Sequence, residues 1–271
     1  MTSPKLPSPA LSQNTSSQPN QEWDSFLVKF FGDEPLPHSS LQAIFEPLRR
    51  PTIDSMLVVG QIGQTMDGRI ATVTGQSKYV NGPAGLTHLH QLRALVDAVV
   101  IGVGTALADD PQLTVRQVSG KSPARVVLDP RGRLSHEHSV WQDDDVQKIW
   151  VVADGTLTKP PPQVELVVLP THHGTIDPAL ILISLHARGF KRILIEGGAE
   201  TVSRFMLAKC LDRLHLIVAP IIMGSGRPSF NLPPIKHMDQ ALRLQVQTHL
   251  LGNDVVFDCD LGTQRLALKM D

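Results

Sequence analysis

"RILIEGGAETVSRF" (residues 192–205) decides how this chain folds. It opens on an apolar run, as expected of a strand buried on both faces. It continues past Glu196, Gly197 and Gly198 into what reads as the start of a helix. In an α/β sheet such a turn lies beyond the carboxyl end of a strand, where ligands bind. Two glycines there let a backbone approach a ligand or adopt unusual dihedrals. The next helix points its free N–H groups and positive dipole end at the same space, which suits an anion. Thr201 adds a hydroxyl in the first turn, and Glu196 closes the strand facing the crevice. Spacing alone leaves two readings open, an anion seat or a plain tight turn with a capped helix. The stretch is not the G-x-G-x-x-G dinucleotide fingerprint.

The same grammar repeats along the chain. MLVVGQI (56–62), DAVVIGV (97–103), ARVVLD (124–129), KIWVVA (148–153), VELVVL (164–169) and RLHLIVAP (213–220) all read as strands. Asn81 is expected to cap a helix with Pro83 in its first turn and Leu86, Leu89, Leu92 and Leu95 along one face. Further helices are expected over 177–188, ending at Gly189, and over 199–208. This alternation predicts an α/β domain with a mostly parallel central sheet flanked by helices. Strands near 242–248 and 254–259, around Gly252 and Asn253, predict a C-terminal antiparallel hairpin.

The chain has 271 residues, 41% of them hydrophobic, 19% charged, with a formal net charge of -1. That is ample material for a core, and no basic run tracks a phosphate backbone, so nucleic acid is not expected as a partner. No apolar stretch is long enough to span a bilayer, and the N-terminus lacks the apolar core of a signal peptide. With only Cys210 and Cys259, a reducing compartment and a cytoplasmic location are expected. Residues 1–20, rich in Ser, Pro, Gln and Asn, read as a disordered tail. Residues 21–54 read as an N-terminal extension, mainly helical. Its Trp23, Phe26, Leu27, Phe30 and Phe31 recur at helical spacing, either packing on the main body or forming a partner surface. The main domain is expected over 55–262, followed by a C-terminal tail over 263–271.

Other motifs carry polar groups to strand ends. MDGRIATVTGQSKYVNGP (66–83) places Ser77 and Tyr79, the sole tyrosine, just before a helix start. GVGTALADDPQLTVR (102–116) reads as a loop whose Thr105, Asp109 and Arg116 can orient a polar ligand, or as a solvated loop with capping aspartates. APIIMGSGRPSF (219–230) is either a ligand-facing loop or an ordinary glycine turn. His88 and His90, two apart on a helix, fall on different faces, which is wrong for a shared metal. No Cys-x-x-Cys and no G-x-S-x-G occurs, and no metal is expected.

Taken in order, D-G-R-I-A, S-x-aromatic, Leu92-Arg93, G-x-G-T-x-L-A-D-D-P-x-L-T-x-R, V-V-L-D, E-G-G and A-P-x-x-x-G resemble the reductase domain of the bifunctional riboflavin-biosynthesis deaminase–reductase family. The resemblance covers about residues 55–260. It implies a dihydrofolate-reductase-like fold, NADPH as cofactor, and a homodimer. It also implies reduction of 5-amino-6-(5-phosphoribosylamino)uracil to its ribitylamino product by hydride transfer to ribose C1′. By the same resemblance Gly63, Thr105, Asp109 and the Gly197, Gly198, Ala199, Glu200, Thr201 turn match cofactor contacts. Ser77, Tyr79, Arg93, Leu113, Arg116 and Glu196 match substrate contacts, Arg93 and Arg116 being candidates for the 5′-phosphate. Glu196 and Asp109 are the catalytic candidates. Related folds often carry a cis peptide between the two glycines. Two positions depart from the pattern: Gln61 stands for a usual Lys, and Tyr79 for a usual Trp. The zinc motif of the deaminase half does not precede the reductase part in this sequence. A reductase of the same fold on another pyrimidine or pterin-like substrate, and a non-catalytic ligand-binding homologue, remain alternatives.

Overall fold

The computed structural model describes residues 21–49, 53–78, 80–142 and 145–269. The tail expected over 1–20 and Tyr79 lie outside the described residues. In chain order the elements begin with α1 (Gln21–Phe30), α2 (Ser40–Phe45), β1 (Leu57–Thr65), β2 (Arg69–Ala71), α3 (Pro83–Leu95), β3 (Ala98–Gly102) and α4 (Val103–Asp109). There follow β4 (Ala124–Leu128), β5 (Lys148–Ala153), β6 (Val164–Leu169), and the short pair β7 (Thr171–His172) and β8 (Thr175–Ile176). The chain continues through α5 (Pro178–His186), β9 (Arg192–Glu196), α6 (Ala199–Leu207), β10 (Arg213–Ala219), β11 (Arg227–Pro228), β12 (Gln245–Leu251) and β13 (Asp254–Asp260).

Nine strands form one sheet in the order β12-β13-β10-β1-β9-β3-β4-β5-β6. From β10 to β6 every neighbouring pair is parallel. Only β13 and β12, joined at Gly252 with φ 64°, run antiparallel at one edge. The α/β architecture with its antiparallel hairpin is therefore as expected, with the first hairpin strand three residues later than its apolar pattern suggested.

Period-two alternation sorts the strand residues between two cores. Val59, Val99, Ile101, Val127, Trp150 and Leu194 join one, with side chains of α1 to α4. Val58, Val100, Val126, Ile149, Ile193 and Ile195 join the other, with those of α5 and α6. The aromatic stripe of α1 belongs to the first. Trp23 stacks on Phe26 at 5.7 Å and meets Phe45 edge-on at 5.9 Å, and Phe26 lies 5.8 Å from Phe30. At the other terminus Arg265 and Leu268 are buried, and the Leu268 N–H donates to Asp54 Oδ2. Among the described residues no helix is long and apolar enough to cross a membrane.

Two local expectations are corrected. Residues 102–116 are not all loop, since Val103–Asp109 forms α4 before Asp110, at φ 41°, and Pro111 stop it. The cap of α3 is Gly82, not Asn81. The Asn81 side chain instead fills the space above Gly63, where a Cβ would lie 1.7 Å from its Oδ1.

The same face buries a cluster of titratable groups. His88 of α3 and His215 of β10 share a hydrogen bond of 2.9 Å between Nε2 and Nδ1. His215 Nε2 lies 3.4 Å from Asp258 of β13, which also accepts from Arg213. Burial, then the neighbouring His215, holds the His88 imidazole well below its ordinary value. Burial pushes Asp258 up, but His215 and Arg213 together outweigh it and leave the carboxyl at about 2.

Two tests follow from this packing. Phe26 is fully buried among aromatic neighbours, so Phe26→Ala is expected to cost about 3–5 kcal/mol in denaturant unfolding. A loss below about 1 kcal/mol would show that α1 is not part of the core. For the histidine, the unfolded chain binds the proton more readily, so the stability owed to His88 is complete above pH 6.5 and declines below it. The Asp258 contribution holds above 3.8 and is lost as the pH falls toward about 2. The thermal midpoint should thus fall in two stages on acidification, and His88→Gln should flatten the first. An unaltered slope in that variant would show that His88 does not cause it.

Candidate functional site

Strands β9 and β3 are adjacent and parallel, so their carboxyl ends open on the same side of the sheet. Each turns directly into a helix, α6 and α4, through a glycine N-cap with no side-chain capping bond. The two turns interlock. Thr105 Oγ1 accepts from the Gly198 N–H at 3.1 Å. Gly102 lies against Thr201, whose Oγ1 would stand 2.4 Å from a Cβ at that position. Any side chain on Gly102 would therefore drive the two helix starts apart. Gly197 makes the turn with φ 93°, a conformation that a residue with a Cβ adopts only under strain. No cis peptide occurs among the described residues, so the expected cis bond between the glycines is absent. The left-handed Gly197 supplies the change of direction instead.

The first amides of a helix have no partner within it. At α6 the Thr201 N–H turns back to the Gly198 carbonyl, leaving the Ala199 and Glu200 amides at the open end. The Glu200 side chain is drawn away from that end, accepting from Arg204 at 2.5 Å and from Asn231 at 2.7 Å. Asn231 most strongly, and Arg204 after it, hold its carboxyl below the ordinary value. Uncapped amides at a helix start are groups that an anion can accept from.

Arg93 is not available for a phosphate, as its match had suggested. Its Nε and Nη2 donate to the two oxygens of Glu196 at 2.9 and 2.6 Å, and its Nη1 donates to the Thr114 carbonyl at 3.1 Å. The pair is buried, so removing either partner strands a charge and costs about 3–5 kcal/mol. Glu196 therefore stands at the crevice as an oriented acceptor with both oxygens engaged. Gln61, 6% exposed, lies in register between Glu196 on one side and His215 on the other.

The remaining candidates divide. Ser77 Oγ donates to Asp109 Oδ1 at 2.8 Å, bringing those two together at the exposed end of α4. Arg116 is exposed, with its Nη1 donating to Thr114 Oγ1 at 3.1 Å and its backbone N–H to His90 Nδ1 at 3.1 Å. Burial, then Arg93 and Arg116, lower the His90 imidazole to about 4, so near neutrality it is an uncharged acceptor. Leu113 does not offer its side chain to a ligand, since that side chain is in the core and φ is 56°. Gly63 is covered by Asn81 and gives no open cradle.

Sequence patterns passed over one turn. After β4, Asp129 is fully buried and accepts from the Leu134 N–H at 2.8 Å and from Trp150 Nε1 at 3.3 Å. This anchored carboxylate holds a tight turn through Gly132, φ 62°, and leaves Arg131 and Arg133 exposed, with Arg133 Nε 3.6 Å from its Oδ1. The arginines stand at the same sheet end as Gly198, two strands away, or about 10 Å. Asp110, at the end of α4, ties the following loop down by accepting from the N–H and Oγ of Ser139, each at 2.8 Å. The signal available in the sequence was the pair of arginines in "DPRGRL", which also reads as an ordinary turn.

Comparison with known proteins identifies the family. The chain is 34% identical over 215 residues to the 2,5-diamino-6-ribosylamino-4(3H)-pyrimidinone 5′-phosphate reductase of Methanothermobacter thermautotrophicus, covering 74% of this chain and 96% of that protein. It is 28% identical to the riboflavin biosynthesis protein RibD of Actinobacillus pleuropneumoniae, covering 74% of this chain and 56% of that one. The chain thus spans about half the length of its RibD relatives. A solved deaminase/reductase from Thermotoga maritima superposes with a TM-score of 0.66 at 25% identity, over 80% of this chain and 58% of that one. The riboflavin biosynthesis reductase of Saccharomyces cerevisiae, at 19% identity, shares the fold with a TM-score of 0.66, over 82% of this chain and 99% of that one. A family model described as the RibD C-terminal domain matches residues 56–257, and the chain belongs to that family.

Proposed function

We propose that this protein is an NADPH-dependent reductase of riboflavin biosynthesis, converting a phosphoribosylamino-pyrimidine to its ribitylamino product. The observation that carries the reading is the interlocked pair of helix starts at Gly102–Thr105 and Gly198–Thr201, presenting uncapped amides at the ends of adjacent parallel strands. The amides of Ala199 and Glu200 would hold a pyrophosphate there. Arg131 and Arg133 would take the 2′-phosphate that distinguishes NADPH from NADH. Ser77 and Asp109 offer a joined hydroxyl and carboxylate for ligand hydroxyls at the far end of α4.

When bound, the nicotinamide supplies the hydride; the protein supplies position and charge. Arg116, exposed and near the buried Arg93–Glu196 pair, is the cation left for the 5′-phosphate of the substrate. Glu196, held in one orientation by Arg93, would accept from a substrate N–H or hydroxyl at the strand end. Such fixed groups contribute mainly by orientation.

Two pyrimidines fit the class. The resemblance points to 5-amino-6-(5-phosphoribosylamino)uracil. The relative matched over 96% of its own length is named for 2,5-diamino-6-ribosylamino-4(3H)-pyrimidinone 5′-phosphate, which favours the undeaminated compound as a second reading. Loss of absorbance at the nicotinamide band, followed with purified protein, NADPH and each pyrimidine in turn, is expected with at least one of them. The faster one identifies the substrate. NADPH binding without turnover of either points to another substrate, and no NADPH binding refutes the reductase reading. Removing one charge-assisted hydrogen bond to a phosphate weakens binding about tenfold. Arg131→Ala and Arg133→Ala should therefore raise KM for NADPH by about that factor and leave KM for NADH unchanged. Equal effects on both cofactors would remove these arginines from the 2′-phosphate site.

A further inference from the structure

The family domain begins at residue 56, yet α1, 26 residues before that boundary at its nearer end, touches the loop that carries Arg116. That loop, residues 113–122, is held on its inner side by α3. Arg93 donates to the Thr114 carbonyl at 3.1 Å, His90 accepts from the Arg116 N–H at 3.1 Å, and Thr87 Oγ1 donates to Gln117 at 3.3 Å. Its outer tip is held by α1. Trp23 Nε1 donates to the Ser119 carbonyl at 2.9 Å, and Ser119 Oγ donates to the Asp24 carboxylate. Gly120, at φ 140°, lets the chain slip between the two helices. A Cβ there would stand 2.6 Å from the Ala94 Cβ and 3.6 Å from Leu27 Cδ2. The second helix of the extension grips α3 directly, with the Phe45 ring stacked on His88 at 5.1 Å and 19°.

We propose that residues 21–49 are a positioning element for phosphate recognition, with α1 and α2 clamping the Arg116 loop against α3. The clamp rests on the reading of Arg116 as the contact for the substrate 5′-phosphate. The physical need for it is plain in the loop itself. Its outer tip is a Ser-Gly turn three residues beyond Arg116, on which α1 places Trp23 and Asp24 as hydrogen-bond partners and Leu27 as a packing neighbour. An exposed arginine on a loose loop loses conformational freedom when it binds a phosphate, and a fixed loop has lost much of it beforehand. Trp23 and Asp24 touch no candidate ligand, so they act through the backbone that presents Arg116.

The test compares affinity for the phosphorylated pyrimidine with affinity for its dephosphorylated form, measured by calorimetry in the presence of NADP+, which has no hydride to transfer. Trp23→Phe keeps an aromatic ring in the core while removing the N–H to Ser119 and part of the indole volume, and Asp24→Ala removes the bond to the Ser119 hydroxyl. The pair of substitutions is expected to weaken binding of the phosphorylated compound about tenfold, leaving NADP+ and the dephosphorylated compound unaffected. Combined with Arg116→Ala, they should add almost nothing, because loop and arginine act as one unit. Asp24→Ala alone, at a partly exposed position, carries the same comparison if the Trp23 variant does not fold. Packing alone would lower the thermal midpoint and leave the phosphate preference intact, and that result overturns the clamp. Full additivity with Arg116→Ala overturns it as well. If Arg116→Ala itself loses no preference for the phosphorylated compound, the phosphate reading of Arg116 falls and the clamp with it. If Arg116→Ala loses that preference and the extension variants keep it, the clamp alone is refuted.

Discussion

The centre of this molecule depends on the space left between two strand ends. β3 and β9 are neighbours, so the helices that leave them start side by side and compete for the same volume. The competition is settled by leaving out side chains. Gly102 makes room for the Thr201 hydroxyl, and Gly197 and Gly198 make room for Thr105. Thr105 then accepts the Gly198 N–H, which locks one turn to the other. Two helix starts thereby stand side by side without any side-chain cap, and the unused amides are the groups on which the proposed cofactor seat rests.

The second constraint is electrostatic and lies one layer deeper. Arg93 and Glu196 form a buried bidentate pair between α3 and the last residue of β9. Such a pair adds little to stability over apolar packing, but it is costly to break, so it fixes geometry. It fixes α3 to the carboxyl end of β9. Through the Thr114 carbonyl it also fixes the base of the loop that presents Arg116. Arg93 is thus better understood as a part of the frame than as a ligand contact. The exposed guanidinium at the crevice is the one that the frame supports.

What the sequence disclosed, and what it hid, follows the range of the interactions. KIWVVA, VELVVL and RILIE are apolar on both faces, and local pattern alone places β5, β6 and β9 at their observed limits. The α4 helix is seven residues long, and Gly104, Asp109, Asp110 and Pro111 all speak for a loop. Its Val103 and Ala106 are buried in the core and its Thr105 is engaged by a turn 93 residues away, contacts that no window of sequence displays. Asn81 has the chemistry of a cap, but its side chain is taken by the gap over Gly63. Arg93 matches a contact position, and only the fold shows that Glu196, 103 residues on, consumes its fork. The glycine turn was legible as one of two possibilities because its meaning depends on what stands opposite.

The same balance of space and charge accounts for Gln61, which stands where the family pattern has a lysine. Across four adjacent strands the register places Asp258, His215, Gln61 and Glu196 in one row on one face. At one end of that row Arg213 balances Asp258, and at the other Arg93 balances Glu196. A lysine at position 61, in a site 6% exposed, would stand beside Glu196, whose charge Arg93 already matches. Its charge would add to that of Arg93 in a buried place, where a further cation is expensive. A neutral amide spans the gap without disturbing either pair. Gln61 thus carries no charge into the buried row, and Arg116 holds its positive charge on the surface, where solvent shares the cost of holding it.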